Sequence, residues 1–358
     1  MGYESILNGT TLLVVALLVS FISLIFLARS ASGNQFALVT SRQLYYLTTI
    51  LIVLTVILLL GAFLNHQYYY AYVYNNSDRG LSLVYRIAAF WAGKEGSFLL
   101  WLFILNILGI FVIRSGDENE NILISIVMIT QIFILLLLVV DSPFKYIWDV
   151  YADVEKGFRP ADGAGMNPLL ADPWMVAHPP VLFLGYASAT IPFGYAVAAM
   201  LKNEYSAMIE RGYSWVLFSM LSLGIGIFLG GYWAYTVLGW GGYWGWDPVE
   251  NSSLIPWLVV VALMHGMLLQ KRKGALVKTN LALSCVYFIL VLYSAFLTRS
   301  GVLADFSVHS FADYGLTGYF LTFIVFYMFI SLFLFFRRFR QVPSKPVNSG
   351  PFSWQTVT

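Results

Sequence analysis

Residues 233–257, WAYTVLGWGGYWGWDPVENSSLIPW, hold five of the chain's 11 tryptophans: Trp233, Trp240, Trp244, Trp246 and Trp257. Tyr243 stands among them, and Gly239, Gly241, Gly242 and Gly245 separate the rings. Glycine lets a backbone turn tightly, so several large rings can share one surface. Such a shelf suits a flat, apolar, polarisable ligand. An aromatic belt at a membrane boundary is the other reading, and the stretch by itself leaves both open. Asp247-Pro248-Val249-Glu250 then reads as a helix start. Asp247 is the N-cap, Pro248 the first helical residue, and Glu250 closes a capping box. That box accounts for both acids without an acid–base role.

The chain has four histidines. His178, in AHPPVLFLGY, precedes two prolines, which disfavour helix at the histidine and suit the first turn of the span that follows. His309 lies in a second loop, TRSGVLADFSVHSFADYG, and helix parity places both on the side of the tryptophan stretch. Two neutral imidazoles beside an aromatic shelf are what six-coordinate haem iron takes. Two unrelated loop histidines are the alternative. His265, in LIPWLVVVALMHGMLLQ, falls roughly 16 Å into an apolar span, where an ionisable group is a functional candidate. A neutral imidazole bonded to a neighbouring helix is the bland reading. His66, beside tyrosines, carries no role. Arg299 at the end of a span suits a carboxylate such as a haem propionate, or equally a snorkelling anchor. No Ser-His-Asp or Cys-His set is present, and the single cysteine, Cys285, excludes an internal disulfide or a CxxC pair.

These residues need a scaffold, and composition names it. The chain is 59% hydrophobic and 11% charged with a net charge of +2, which excludes a soluble globular class and speaks against nucleic acid as a partner. Apolar runs at about 7–28, 44–64, 96–113, 122–140, 180–201, 214–236, 254–270, 277–297 and 317–336 predict an all-α polytopic membrane protein of about nine spans. The first run is read as a true span, since Glu4 and no basic residue precedes it. With the N-terminus outside, 13 of the 20 Lys and Arg fall on the inner side, so the basic residues favour N-out, C-in. Residues 1–336 form one membrane domain, and 337–358 a basic, linker-like inner tail.

WGGYWGWDPVEN (240–251) resembles the WWD signature of haem-handling membrane proteins, with an ending like that of the cytochrome c maturation protein F family of haem lyases. WAGKEGSFLLW (91–101), AHPPVLFLGY (177–186), ALMHGM (262–267) and FLTRSGVLADFSVHSFADYG (296–315) resemble that family's segments, in its order. The resemblance covers roughly 60–315 and implies a bacterial inner-membrane protein whose active face is extracytoplasmic. It implies that the shelf (Trp240, Gly242, Tyr243, Trp244, Trp246, Asp247, Trp257) binds haem b delivered by a haem chaperone, with Arg299 the candidate for a propionate. His178 and His309 match its axial ligands, and His265 one of two ligands of a separate haem b within the membrane. Haem vinyl groups are then joined to the CxxCH cysteines of apocytochrome c, among other maturation proteins and membrane lipid. The family usually runs to about twice this length, and its second membrane histidine lies in the other half: either a second polypeptide supplies that ligand, the chain is truncated, or no stable membrane haem forms. A haem transporter or a non-catalytic scaffold is the rival class.

Overall fold

The computed structural model describes residues 8–239, 241–303, 307, 315–343 and 345. Among them the chain is helical, with no strand. In order the helices are α1 (Gly9–Ser30), α2 (Gln35–Leu64), α3 (Ala71–Asn76), α4 (Leu83–Ala92), α5 (Lys94–Arg114), α6 (Glu120–Val140) and α7 (Ile147–Val150). There follow α8 (Pro173–Ser188), α9 (Thr190–Lys202), α10 (Ser206–Glu210), α11 (Gly212–Val237), α12 (Pro248–Lys273), α13 (Val277–Arg299) and α14 (Thr317–Arg338). Nine stretches among the described residues are long and apolar enough to cross a membrane, α8 and α9 together making one of them. The expected count of spans is met.

The α8–α9 stretch is the axis of the bundle: 83% of its most apolar window is buried, against 28% for α14. Apolar side chains cannot drive helices together in lipid, where the surroundings are equally apolar, so small residues and hydrogen bonds must do it. Both are present. A Cβ on Gly185 would stand 2.8 Å from the Leu223 backbone, and one on Gly226 2.8 Å from Leu182 Cα, so α8 and α11 touch backbone to backbone. Tyr45 donates to Asn106 O at 3.0 Å, Gln131 to Ser20 at 2.6 Å, and Tyr287 pairs with Ser219 at 2.6 Å. Tyr186 on α8, Ser294 on α13 and Ser252 on α12 form one tie, with links of 2.5 and 2.9 Å.

Charge is kept to the two ends. At the end opposite the tryptophan loop, Asp117 accepts from Tyr195 at 2.5 Å and pairs with Arg211 at 3.2 Å. Burial would raise the Asp117 carboxyl, but the bonds from Tyr195, Asn119 N–H and Arg211 outweigh it and hold it below the ordinary carboxylate range. Arg338 binds the carbonyls of Met200 and Leu201, so the described start of the tail is tied to α9. At the other end, Lys94 opens α5 and pairs with Asp141 at 2.5 Å, which also takes Lys145 at 2.8 Å. Tyr72 bridges the α4–α5 break, accepting from Gly93 N–H and donating to Phe90 O, both at 3.0 Å. A stack of Tyr70, Tyr146 and Trp148 caps this side, with centroids 5.5 and 4.6 Å apart.

Two expectations need correction. The prolines after His178 do not begin the span: α8 starts at Pro173, capped by Asp172, and runs through Pro179 and Pro180. The helix survives because the N-cap, where the Asp172 side chain accepts from Trp174 N–H, nucleates it six residues earlier. The carbonyls of Met175 and Val176 lose their usual acceptor role as a result. Likewise α12 begins at Pro248 rather than 254, so His265 lies roughly 26 Å along it, past the midpoint.

Candidate functional site

The capping box read from the sequence is formed. Asp247 accepts from Val249 N–H at 2.8 Å and Glu250 N–H at 3.3 Å, while Glu250 accepts from Asp247 N–H at 3.3 Å. Such a cap contributes about 1 kcal/mol. Glu250 also takes Gly245 N–H at 2.9 Å, Asn251 donates to Trp246 O, and Trp244 donates to Asn251 at 3.3 Å. The tryptophan loop is thus laid over the first turn of α12. Its turn runs through Gly241, where φ is +68°, and Trp246, where φ is +56°. Ser307 adds a bond to Asp247 at 2.8 Å.

Beneath the loop lies a cavity of about 280 Å³ between α4, α5, α8, α11, α12 and α13. His178 and Met175, one turn apart on α8, face it, as do Trp233 and Trp244. The Trp233 indole donates to Leu169 O at 2.9 Å and so holds the Asn167–Leu170 segment as a roof. Arg299 closes the α13 side. It is 7% exposed, binds Ser97 Oγ through Nε at 3.1 Å, and lies over the rings of Phe183 and Phe98 at 5.1 and 5.6 Å.

The His178 ring is oriented. Its Nδ1 stands 2.7 Å from the Gly226 carbonyl, which can only accept, so Nδ1 carries a proton. Metal-bound imidazoles are held by this kind of bond from the other ring nitrogen. Gly230 makes room for the ring: a Cβ there would stand 2.6 Å from His178 Cε1.

A second, almost wholly apolar hollow of about 590 Å³ runs down between α11 and α12, lined by Met220, Phe228, Tyr243, Leu254 and Trp257 among others. The two spaces share Ile227, Gly231 and Trp244. The first alone is small for a bound ligand, which usually occupies roughly 300–1,000 Å³; the second, which shares those walls, falls within that range.

The structure therefore divides the residues named from sequence. His178, Trp244 and Arg299 meet at the cavity. Tyr243 and Trp257 line the hollow, with Tyr243 stacked on Tyr235 at 4.4 Å and Trp257 bonded to Met220 O at 3.2 Å. Gly242 lies in the loop and lines neither, and Trp246 is 73% exposed and turned outward. Trp240 and His309 lie outside the described residues. His265 faces out of the bundle, with Nδ1 2.9 Å from its own helix's Val261 O, so it shares no cavity with His178. His66 pairs with Tyr68 at 2.7 Å, away from the site. Trp91, Ser97, Phe183, Tyr186 and Gly230 are lining residues that sequence reasoning did not single out, although the first four fall in two of the segments quoted above.

A family model described as Cytochrome C assembly protein matches residues 91–303. The cytochrome c-type biogenesis protein CcmF of Escherichia coli K12 is 36% identical over 350 residues, which span 96% of this chain and 52% of the relative. CcmF of Pseudomonas fluorescens is 39% identical over 283 residues, 77% of this chain and 41% of the relative. NrfE of Haemophilus influenzae, also a cytochrome c-type biogenesis protein, is 37% identical over 261 residues, 71% and 39%. A solved structure titled Cytochrome c Heme Lyase CcmF is similar with a TM-score of 0.77 at 25% identity, covering 99% of this chain and 54% of that one. The chain spans about half the length of the curated relatives it matches.

Proposed function

Because this chain belongs to the cytochrome c assembly protein family, in its CcmF group, we propose that it handles haem in c-type cytochrome biogenesis and takes part in joining it to apocytochrome c. The observation that carries the reading is the oriented His178 ring in the wall of a cavity that shares Trp244 with an apolar hollow. His178 is one axial ligand in this reading and His309 the other. The membrane is the bacterial inner membrane, with the tryptophan loop on its extracytoplasmic side. A haem chaperone delivers the haem there, and the cytochrome's CxxCH segment arrives from the same side.

Thioether formation adds a cysteine S–H across a haem vinyl group. Sulfur bonds to the inner vinyl carbon and the proton ends on the outer one, so atoms balance without an added oxidant or reductant. The haem supplies the reactive alkene. This chain supplies position: His178 and the aromatic walls fix the ring, and the roof tied by Trp233 keeps water from one side. No protein nucleophile is needed, which agrees with the lack of any such set in the sequence.

His265 fits a separate role. Its Nδ1 bond leaves Nε2 as the lone-pair nitrogen on a ring that faces out of the bundle at membrane depth. We assign it as one ligand of a haem b within the membrane, the other coming from a second polypeptide or further chain. A transport role without chemistry shares the cavity and the hollow but forms no thioether product.

The test is a visible spectrum of the purified chain, reduced minus oxidised. A low-spin haem signal is expected that survives His265→Ala and disappears when His178 and His309 are both replaced by Gly. Haem occupancy unchanged in that double variant overturns the reading.

A further inference from the structure

The walls of the cavity differ in chemistry. On the α5 and α13 side stands Arg299, buried, its Nε on Ser97 and its face between two phenylalanine rings. In the same cavity Trp91, the last residue but one of α4, has a buried indole N–H with no hydrogen-bond partner among the described residues. A buried donor without an acceptor is uncommon, and a ligand oxygen is one explanation of it. Across the space, on the α11 side, stand Ile227, Gly231 and Trp244, and beyond them only the apolar hollow. Glu250 also lines this cavity, its carboxylate held by Gly245 and Asp247 N–H groups.

We propose that Arg299 and the Trp91 indole form a carboxylate subsite that sets which edge of the ligand points which way. The inference rests on the haem reading above. Haem has two propionates on one edge and vinyl groups on the opposite half of the ring. The guanidinium and the indole N–H take a propionate, a charge-assisted pairing that Ser97 and the two phenyl faces align. The vinyl-bearing edge therefore lies toward Trp244 and the glycine-jointed loop, where the polypeptide to be modified can reach it. A cavity with an arginine in one wall, sharing Trp244 with a larger apolar hollow, suits such an edge-sorted ligand.

The experiment is a Soret titration of the full chain with haem b and with its dimethyl ester, in which both propionates are neutral. The unmodified chain is expected to bind haem at least about tenfold more tightly than the ester, the range for a hydrogen bond to a charged group. Arg299→Gln and Trp91→Phe should each reduce that ratio severalfold with little loss of ester binding. Trp91→Phe keeps ring and volume, so it reports even where the arginine variant does not fold. Trp244→Ala should weaken both probes by the same factor and leave the ratio intact. Equal binding of haem and ester by the unmodified chain, or a ratio unmoved by Trp91→Phe, overturns the subsite while the haem reading stands. Failure to bind either probe overturns both.

Discussion

Gly230 tests whether the His178 geometry matters, because it lies in the cavity wall and offers no side chain of its own. In Gly230→Ala the new Cβ would stand 2.6 Å from His178 Cε1 and 2.8 Å from Nδ1. Non-bonded carbons settle at about 3.5–4.0 Å, so the imidazole must give way by roughly 1 Å. The 2.7 Å bond to Gly226 O cannot survive such a shift at full strength. Overpacking costs about 1–3 kcal/mol and the lost hydrogen bond about 1 kcal/mol more. The free chain escapes by turning the ring aside; a bound ligand requires it turned back. The cost therefore falls on binding, as a drop in haem affinity of about tenfold to a hundredfold. The assay is a Soret titration beside a thermal unfolding curve. Gly318→Ala is the control, since nothing lies within 4 Å of a Cβ there. If Gly230→Ala binds haem with unchanged affinity and an unchanged low-spin spectrum, the orientation of His178 by Gly226 has no bearing on the site.

Asp117→Asn should flatten the acid limb of the pH–stability curve. The folded carboxyl is held below its ordinary value, so its contribution is full above the unfolded value, near ~3.9, and is lost as pH falls through the folded one. Equal acid sensitivity of wild type and variant in unfolding scans below that pH would refute it. Lys94→Met removes one of the two cations on Asp141 and, with Lys145 still paired, should destabilise the chain by about 1.5–3 kcal/mol, read as a lowered thermal midpoint; no change in that midpoint would contradict the pairing seen. Asp247→Ala removes the cap of α12 and the Ser307 bond, and a loss of about 1–2 kcal/mol is expected, with faster hydrogen exchange confined to residues 245–253.

Much of this was legible in advance, and the reasons for the exceptions are physical. The spans follow from apolar length, and the start of α12 from its cap, because both signals are local. Residues 248–253 still fell outside the predicted span: their polar side chains are absorbed by the capping box and by Ser252's bonds to Val249 and Ser294. The direction His265 faces could not be read, since a helix in lipid is apolar on its outer face as well as its inner one and periodicity carries little information. Pro179 and Pro180 pointed to a helix start, yet the stronger signal was Asp172-Pro173, a capped first turn six residues earlier. The tryptophans were read as one shelf because sequence gives their spacing but not their turn. The positive φ at Trp246 sends that ring outward while Trp244 goes in. Arg299 was recognised as a carboxylate candidate, but its setting between Phe98 and Phe183 joins residues some two hundred and one hundred positions away, which no local pattern reveals.

The hydrogen bonds around the cavity are unevenly placed, and this has a mechanical consequence. On one side, Tyr186, Ser294 and Ser252 bolt three helices together, Arg299 is pinned to Ser97, and Tyr72 locks α4 to α5. On the other, the described hydrogen bonds of residues 244–247 end on the first turn of α12 and on Ser307. A displacement of the loop away from α11 would leave every one of the first set unbroken. The site is thus a vice with one fixed jaw: the stiff side sets the angle of whatever is clamped, and the compliant side sets how thick it can be.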